Sequence, residues 1–313
     1  MIIVNGISRI HITLIDMNGE LGRIDGGVGF AIESPRVVTE IREGKCDEEE
    51  SILLIKHRIK EKTGLNTENI CVKVVETFDK HVGLGFTTQF SMAVAYGILT
   101  YLNVEINYID IAKIVGRGGT SGIGVHAFKY GGFIMDLGHK ITEKNGPLPS
   151  DFSMASPPPL LTRLPMPEWL VVILIHKKGK KVYGEEEVNL FRKYYPIRRE
   201  DVEKLSRLIL FKLIPSIIDK NIFEFLDSIN QIQEMGFKRY EVLESGEHVR
   251  ALMEKVRKIS GGCGLSSFGP AVYTVVNSMD EALEIANKVL EKDVKIIITK
   301  PSNIGATIKT LKP

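Results

Sequence analysis

The residues best suited to chemistry are glycines and hydroxyls set side by side. Gly83-Leu84-Gly85-Phe86-Thr87-Thr88-Gln89 runs straight into an apolar stretch over residues 90–102. A glycine-hydroxyl turn at a helix start leaves unpaired N–H groups at the positive end of the macrodipole, and Thr87 and Thr88 add hydroxyl donors. That combination can hold phosphate or diphosphate. The same residues also fit a tight turn that merely caps a buried helix. Other chemistries lack their signatures. There is no GxxxxGK[ST] and no GxGxxG, because Thr88 stands where the third glycine belongs. There is no GxSxG and no HExxH, and the seven histidines show no ligand spacing with the three cysteines.

Of the 29 glycines, 18 gather in four places: residues 19–29, 83–85, 116–132 and 261–269. Glycines concentrate where backbone turns sharply or approaches a ligand. Around them the pattern predicts helices at 47–63 (capped by Asp47 and stopped by Gly64), 90–102 and 107–115. Five of the 13 prolines fall in residues 156–167, which reads as a boundary linker before a strand at 169–175. The second half predicts helices at 201–214 (broken by Pro215), 221–235 (ended by Gly236), 247–259 and from 278 to 290, where Ser278 and Glu281 form a capping box. Strands flank them at 271–276 and 294–299. Helices and strands interleave without strict alternation, which gives α+β as the fold class. The lysine run at 177–181 reads as a solvated turn.

At 313 residues the chain is long enough for two domains and a sizeable core. Lys plus Arg minus Asp plus Glu is 41 − 39 = +2, too balanced for a nucleic-acid groove or a polybasic membrane surface. The longest aliphatic run, 170–175, is far below the roughly 20 residues of a membrane span, and no leader is visible. Cys46, Cys71 and Cys263 are widely spaced and suggest no disulfide, so a cytoplasmic location is expected.

The loop does not stand alone. It resembles the second motif of the GHMP superfamily of small-molecule kinases, a Gly-Leu-Gly-Ser-Ser loop, with Thr87 at the second serine. Ser121-Gly122-Ile123 with Tyr130-Gly131-Gly132, and Gly261-Gly262-Cys263-Gly264 with Gly269-Pro270-Ala271, resemble the other two motifs in order. The resemblance implies a GHMP-kinase-like two-domain fold. Residues 1–164 would form an N-terminal ribosomal-S5-domain-2-like part carrying the phosphate loop, and residues 165–313 a C-terminal ferredoxin-like part. One departure matters: where the mevalonate kinases follow Ser-Gly-Ile with an aspartate that activates the acceptor, this chain has Gly124, which can neither take a proton nor orient a hydroxyl.

Further stretches narrow the resemblance. Ser8-Arg9-Ile10-His11, Leu21-Gly22-Arg23-Ile24-Asp25-Gly26-Gly27-Val28-Gly29, Gly116-Arg117-Gly118-Gly119-Thr120-Ser121-Gly122-Ile123-Gly124 and Ser266-Ser267-Phe268-Gly269-Pro270-Ala271 look like the β-ribofuranosylaminobenzene 5′-phosphate synthases. That family implies a decarboxylating pentosyltransferase of methanopterin biosynthesis, joining phosphoribosyl diphosphate to 4-aminobenzoate or 4-hydroxybenzoate. It also implies Mg²⁺, needs neither pyridoxal phosphate nor NAD, and suggests a homodimer. The alternative within the fold is an ATP-dependent kinase.

The donor carries two anionic groups, so two anion sites are expected. Gly83, Gly85, Thr87, Thr88 and Gln89 would make one, and Arg117, Gly118, Gly119, Thr120 and Ser121 the other. Gly26, Gly27, Ser266 and Ser267 join the substrate set through the resemblance. Arg9, His11 and Asp25 are the candidate catalytic residues, although His11 alternates with Ile10 and Ile12 in a way that also fits a strand's solvated face. Asp25 or Asp136 would ligate the metal, or serve only as turn residues. His126 and His139 are spare acid–base candidates.

Overall fold

The computed structural model describes residues 1–311 apart from 145, 151 and 154. The N-terminal half runs β1 (Ile2–Asn5), β2 (Ser8–Asp16), β3 (Arg23–Ile32), β4 (Val38–Glu43), α1 (Glu50–Thr63), β5 (Ile70–Glu76), α2 (Phe86–Tyr101), α3 (Tyr108–Ile114), α4 (Ile123–Tyr130), β6 (Phe133–Asp136), β7 (His139–Lys140) and β8 (Leu160–Leu164). The remainder runs β9 (Leu170–His176), α5 (Glu185–Tyr194), α6 (Arg199–Leu208), a π-turn (Ile209–Leu213), α7 (Ile214–Ile218), α8 (Ile222–Gln233), α9 (Gly236–Glu244), α10 (Glu247–Ser260), β10 (Gly264–Leu265), β11 (Ala271–Val276), α11 (Met279–Val289), β12 (Val294–Thr299) and β13 (Thr307–Thr310).

Three sheets organise these elements: β13-β1-β4-β5, β2-β3-β6-β8 with β7 on β3, and β10-β11-β9-β12. Alternation along β9 explains the layering. Leu170, Val172 and Leu174 face α10 and α11, while Val171, Ile173 and Ile175 face a core shared with Ile10, Ile12, Val28 and Phe30 of β2 and β3. Helices α6 to α8 contribute Leu205, Ile217, Phe225 and Ile229 to that shared core. A second core packs α1 and α2 on the first sheet through Ile41, Ile55, Phe90 and Ile98. The last strand returns to the beginning, Ile2 pairing with Thr310 and Asn5 with Thr307. Among the described residues no helix is long and apolar enough to cross a membrane.

Several expectations shift. Helix α1 starts at Glu50 rather than Asp47, because Glu48 is held back toward β5 by Lys56 at 2.5 Å and by the Val72 N–H at 2.8 Å. Helix α2 begins at Phe86, so Thr87, Thr88 and Gln89 are its first turn and not a loop before it. Pro215 does not break the chain: the π-turn precedes it, and it sits in the first turn of α7, where a missing N–H costs little. Gly236 does not stop a helical region but opens α9. The proline-rich 156–167 stretch contains β8, paired with β6. Cys46 and Cys71 form a disulfide, against expectation, because the segment after β4 folds back onto β5. Cys263 alone is a free, buried thiol, pushed up to about 11 by burial.

Asp136 closes β6 and organises the turn into the next segment. Its Oδ2 accepts the Gly122 N–H at 2.9 Å, and its Oδ1 the Gly138 N–H at 2.8 Å. It is 1% exposed, and burial outweighs these donors, raising its pKa to about 7. The folded state therefore holds a proton that the unfolded chain releases near 3.8, so this group's contribution to stability falls as pH rises between those values. Urea unfolding of Asp136→Asn should show a flatter stability profile between about pH 4 and 7 than the parent; an unchanged slope would contradict this state of Asp136.

Candidate active site

Strand β2 places Ile10 and Ile12 in the core and turns Arg9 and His11 to the other face, where a bulge between His11 and Thr13 shifts the register against β3. Over that face lie the start of α2, the segment before α4, helices α5 and α9, and the turn after β10. Arg9, Thr88, Arg117, Ser150, Glu187, Ser267 and Phe268 line both the outer and the inner part of the resulting cleft. Gly83, Gly85, Thr87 and His81 line the outer part only, and His11, Leu14, Thr120, Ser121, Gly124, Phe191 and Glu241 the inner part only.

The glycines at 83 and 85 are required by geometry. Both have positive φ, 92° and 80°. A Cβ on Gly83 would lie 2.1 Å from the Ser266 carbonyl oxygen, and one on Gly85 3.0 Å from Arg9 Nε. The Gly83 carbonyl accepts Arg9 Nη1 at 2.5 Å and Ser266 Oγ at 2.7 Å, while Ser266 Oγ accepts the His11 N–H at 3.0 Å. Helix α2 then begins on Gly85 with no side-chain cap and no acidic residue in its first turn. Its first N–H groups are therefore free of a capping carboxylate, which suits an anion.

Arg117 reaches the same place from the segment before α4, its Nε donating to Thr88 Oγ1 at 3.1 Å. Burial, and after it the nearby Arg117, lower Arg9 to about 10, which leaves it cationic. His11 is 5% exposed. Burial, then Arg9 and Lys238, push its pKa well below the usual histidine range, so the ring is neutral. Its Nδ1 has no hydrogen-bond partner. The expectation that His11 might merely sit on a solvated face is thus corrected.

Of the residues singled out from sequence, Arg9, His11, Gly83, Gly85, Thr87, Thr88, Arg117, Thr120, Ser121 and Ser267 line this cleft. The others serve structure. Gln89 is buried and donates to the Gly124 carbonyl at 2.8 Å. Gly27 lets β3 pass under Ser121, where a Cβ would be 2.9 Å from its Oγ. Gly26 sits beside the Asp136 and Gly138 backbone. Gly118 packs on Pro157 and Gly119 on Ser153, and the Ser266 hydroxyl is spent on the Gly83 contact. Asp25 is fully buried, its Oδ2 accepting from His139 Nδ1 and Lys144 Nζ, each at 2.7 Å. His126 is held by Tyr108 and the Pro158 carbonyl.

Neither proposed metal ligand fits. Neither lines the cleft: Asp136 accepts through both oxygens, Asp25 is bonded through Oδ2 while its buried Oδ1 has no partner, and among the described residues no three His, Cys, Asp or Glu side chains group around a metal position. The cleft carboxylates are Glu187 on α5 and Glu241 on α9, which sequence reading passed over. Glu241 is ion-paired with buried Lys238. Burial raises Glu241 and lowers Lys238, each pulled back by the other. Their i, i+3 spacing on one helix was the available signal, but it reads equally as a surface pair. Gly124 stands in the first turn of α4 at the inner cleft, where a Cβ would lie 3.1 Å from Thr88 Cγ2.

No protein-family model matches the chain. The β-ribofuranosylphenol 5′-phosphate synthase of Archaeoglobus fulgidus is 39% identical, covering 96% of this chain and 97% of that protein. Those of Methanothermobacter thermautotrophicus and Methanocaldococcus jannaschii are 40% and 38% identical, each covering at least 97% of this chain and 98% of its own length. Among solved structures, a homoserine kinase from Cytophaga hutchinsonii aligns with a TM-score of 0.68 at 14% identity over 98% of this chain and 97% of its own. The mevalonate kinase of Methanococcus jannaschii aligns at 0.67 and 15%, over 96% and 98%. At those identities the likeness fixes the fold, which is the GHMP-kinase fold, in the α+β class. With near-complete coverage at 38–40% identity, the chain belongs to the β-ribofuranosylphenol 5′-phosphate synthase family.

Proposed function

We propose that this chain is a decarboxylating pentosyltransferase that joins 5-phospho-α-D-ribose 1-diphosphate to 4-hydroxybenzoate, releasing carbon dioxide and diphosphate, at an early step of methanopterin biosynthesis. The observation that carries the reading is the meeting of Arg9 and Arg117 beside the uncapped start of α2. Two guanidiniums brought together at one helix start favour a polyanion beside them. The relatives are named for a phenol product, which supports the hydroxyl over the amino acceptor.

The chain's own residues divide the work. The Gly83–Gly85 turn and the first N–H groups of α2 bind the diphosphate, and Arg9 and Arg117 neutralise the charge that grows on it as the C1–oxygen bond breaks. The walls hold the aromatic carbon bearing the carboxylate opposite the leaving group, so an α-donor gives a β-product. Loss of carbon dioxide then restores the aromatic ring. Among the described residues, Glu187 and Glu241 are the cleft carboxylates that would hold Mg²⁺, which would supply charge neutralisation to the leaving group.

A kinase of the same fold needs a group to orient an acceptor hydroxyl, and Gly124 offers none. Incubation with phosphoribosyl diphosphate, Mg²⁺ and 4-hydroxybenzoate should release diphosphate and carbon dioxide in equal amounts. ATP turnover with an alcohol acceptor, and none with this pair, would replace the reading by the kinase. In the same assay Arg9→Ala should lower kcat/KM at least tenfold, about 1.4 kcal/mol, with the circular dichroism spectrum retained; unchanged kinetics would remove Arg9 from the site.

A further inference from the structure

We infer that His11 is the residue by which the inner cleft distinguishes a para hydroxyl from a para amino group on the aromatic acceptor, an inference that rests on the transferase reading above. The cleft is divided in a way that orients the acceptor. Its outer part holds the glycine turn, while its inner part adds apolar walls from Leu14 and Phe191 to the Phe268 that both parts share. Arg9 and Arg117 line both parts. Attack opposite the departing diphosphate puts the carboxylate-bearing carbon at this junction. The para substituent, across the ring from that carbon, then lies at the inner end.

The polar groups there are mostly committed. Thr120 Oγ1 donates to the Leu148 carbonyl, Ser121 Oγ accepts the Ile123 N–H at 3.3 Å, and Glu241 is paired with Lys238. Among the described lining residues, His11 and Glu241 each keep a buried polar atom without a hydrogen-bond partner, Nδ1 and Oε2; Glu241 Oε2 is ion-paired with Lys238, whereas His11, nineteen-twentieths buried, has no charge partner at Nδ1. A neutral imidazole carries one N–H. A buried N–H without an acceptor is rarer and costlier than a lone pair without a donor. We therefore assign the proton to Nε2, which leaves His11 offering a donor.

The charged groups facing His11 are Arg9 on its own strand, Lys238 and Glu241 on α9, Glu187 on α5, and Arg117 before α4. Arg9 and Lys238 dominate at the ring itself, making the local field positive.

That environment treats the two acceptors oppositely. 4-Hydroxybenzoate enters as the phenolate, its proton released to water before binding. As the ring pair forms the C1–carbon bond and diphosphate leaves with the C1–oxygen pair, the para oxygen becomes a carbonyl and accepts from Nε2–H. When carbon dioxide departs, the carbon–carboxyl pair returns to the ring and the phenolate is restored, so no proton passes through His11. The para nitrogen of 4-aminobenzoate instead becomes an iminium, cationic and without a lone pair, facing a donor and two cations.

The test compares kcat/KM for the two acceptors at saturating phosphoribosyl diphosphate and Mg²⁺ in the wild type, His11→Leu and His11→Asn. His11→Leu should reduce the hydroxyl-to-amino preference at least about tenfold, with the KM for the donor unchanged. His11→Asn, whose amide N–H restores a donor, should keep most of the preference. A preference unchanged in His11→Leu, or an equal loss with both acceptors, overturns the assignment. Independently of any variant, ultraviolet difference spectra of 4-hydroxybenzoate bound to the wild type without donor should show the phenolate at neutral pH; a neutral phenol spectrum overturns the assignment. Wild-type enzyme that turns over neither acceptor would instead sink the transferase reading itself.

Discussion

One carbonyl oxygen, that of Gly83, joins three distant segments of this protein. It accepts from the Arg9 side chain on β2 and from the Ser266 hydroxyl beyond β10, and that hydroxyl in turn accepts the His11 backbone N–H. The contact has no room for a side chain: a Cβ on Gly269 would fall 2.1 Å from the Gly83 nitrogen, as one on Gly83 would from the Ser266 oxygen. Residues separated by 183 positions are thus set by backbone approach, a constraint far less adjustable than packed side chains. The positions of Arg9, His11 and the start of α2 all follow from it.

The cleft is built against its own electrostatic preference. Arg9 and Lys238 stand where burial penalises charge, with Arg117 beside Arg9 and Glu241 and Glu187 offsetting them in part. Such preorganised cations cost stability in the empty protein and return it when negative charge arrives. Kinases of this fold share the architecture, yet architecture does not dictate chemistry. With glycine at 124, α4 brings no carboxylate to the inner cleft.

The glycine turns were legible in sequence because positive φ and close backbone approach demand a residue without a side chain. The same property places Gly26 beside the Asp136–Gly138 backbone, Gly27 under Ser121, Gly118 on Pro157 and Gly119 on Ser153, contacts that the sequence could not tell from approach to a ligand. Sequence cannot show which carboxylates are already spent, so Asp25 and Asp136 looked available. Nor could it place α5 and α9 over β2. Glu187, Lys238 and Glu241 belong to short helices rich in charge, and such patterns ordinarily mark solvent faces. The strands at 271–276 and 294–299 matched closely because β-branched residues there are bounded by clear turns. The disulfide was missed because its cysteines lie 25 residues apart, one of them outside any regular element.

The pairing of β13 with β1 brings the two ends of the chain together, the Met1 amino group donating to the Leu311 carbonyl at 3.0 Å. During synthesis β1 therefore waits for a segment some 310 residues further along before one of its edges is covered. Until then it offers unpaired N–H and C=O groups to any passing strand. The first sheet thus carries an order of assembly: β4 can cover one side of β1 early, and β13 covers the other last.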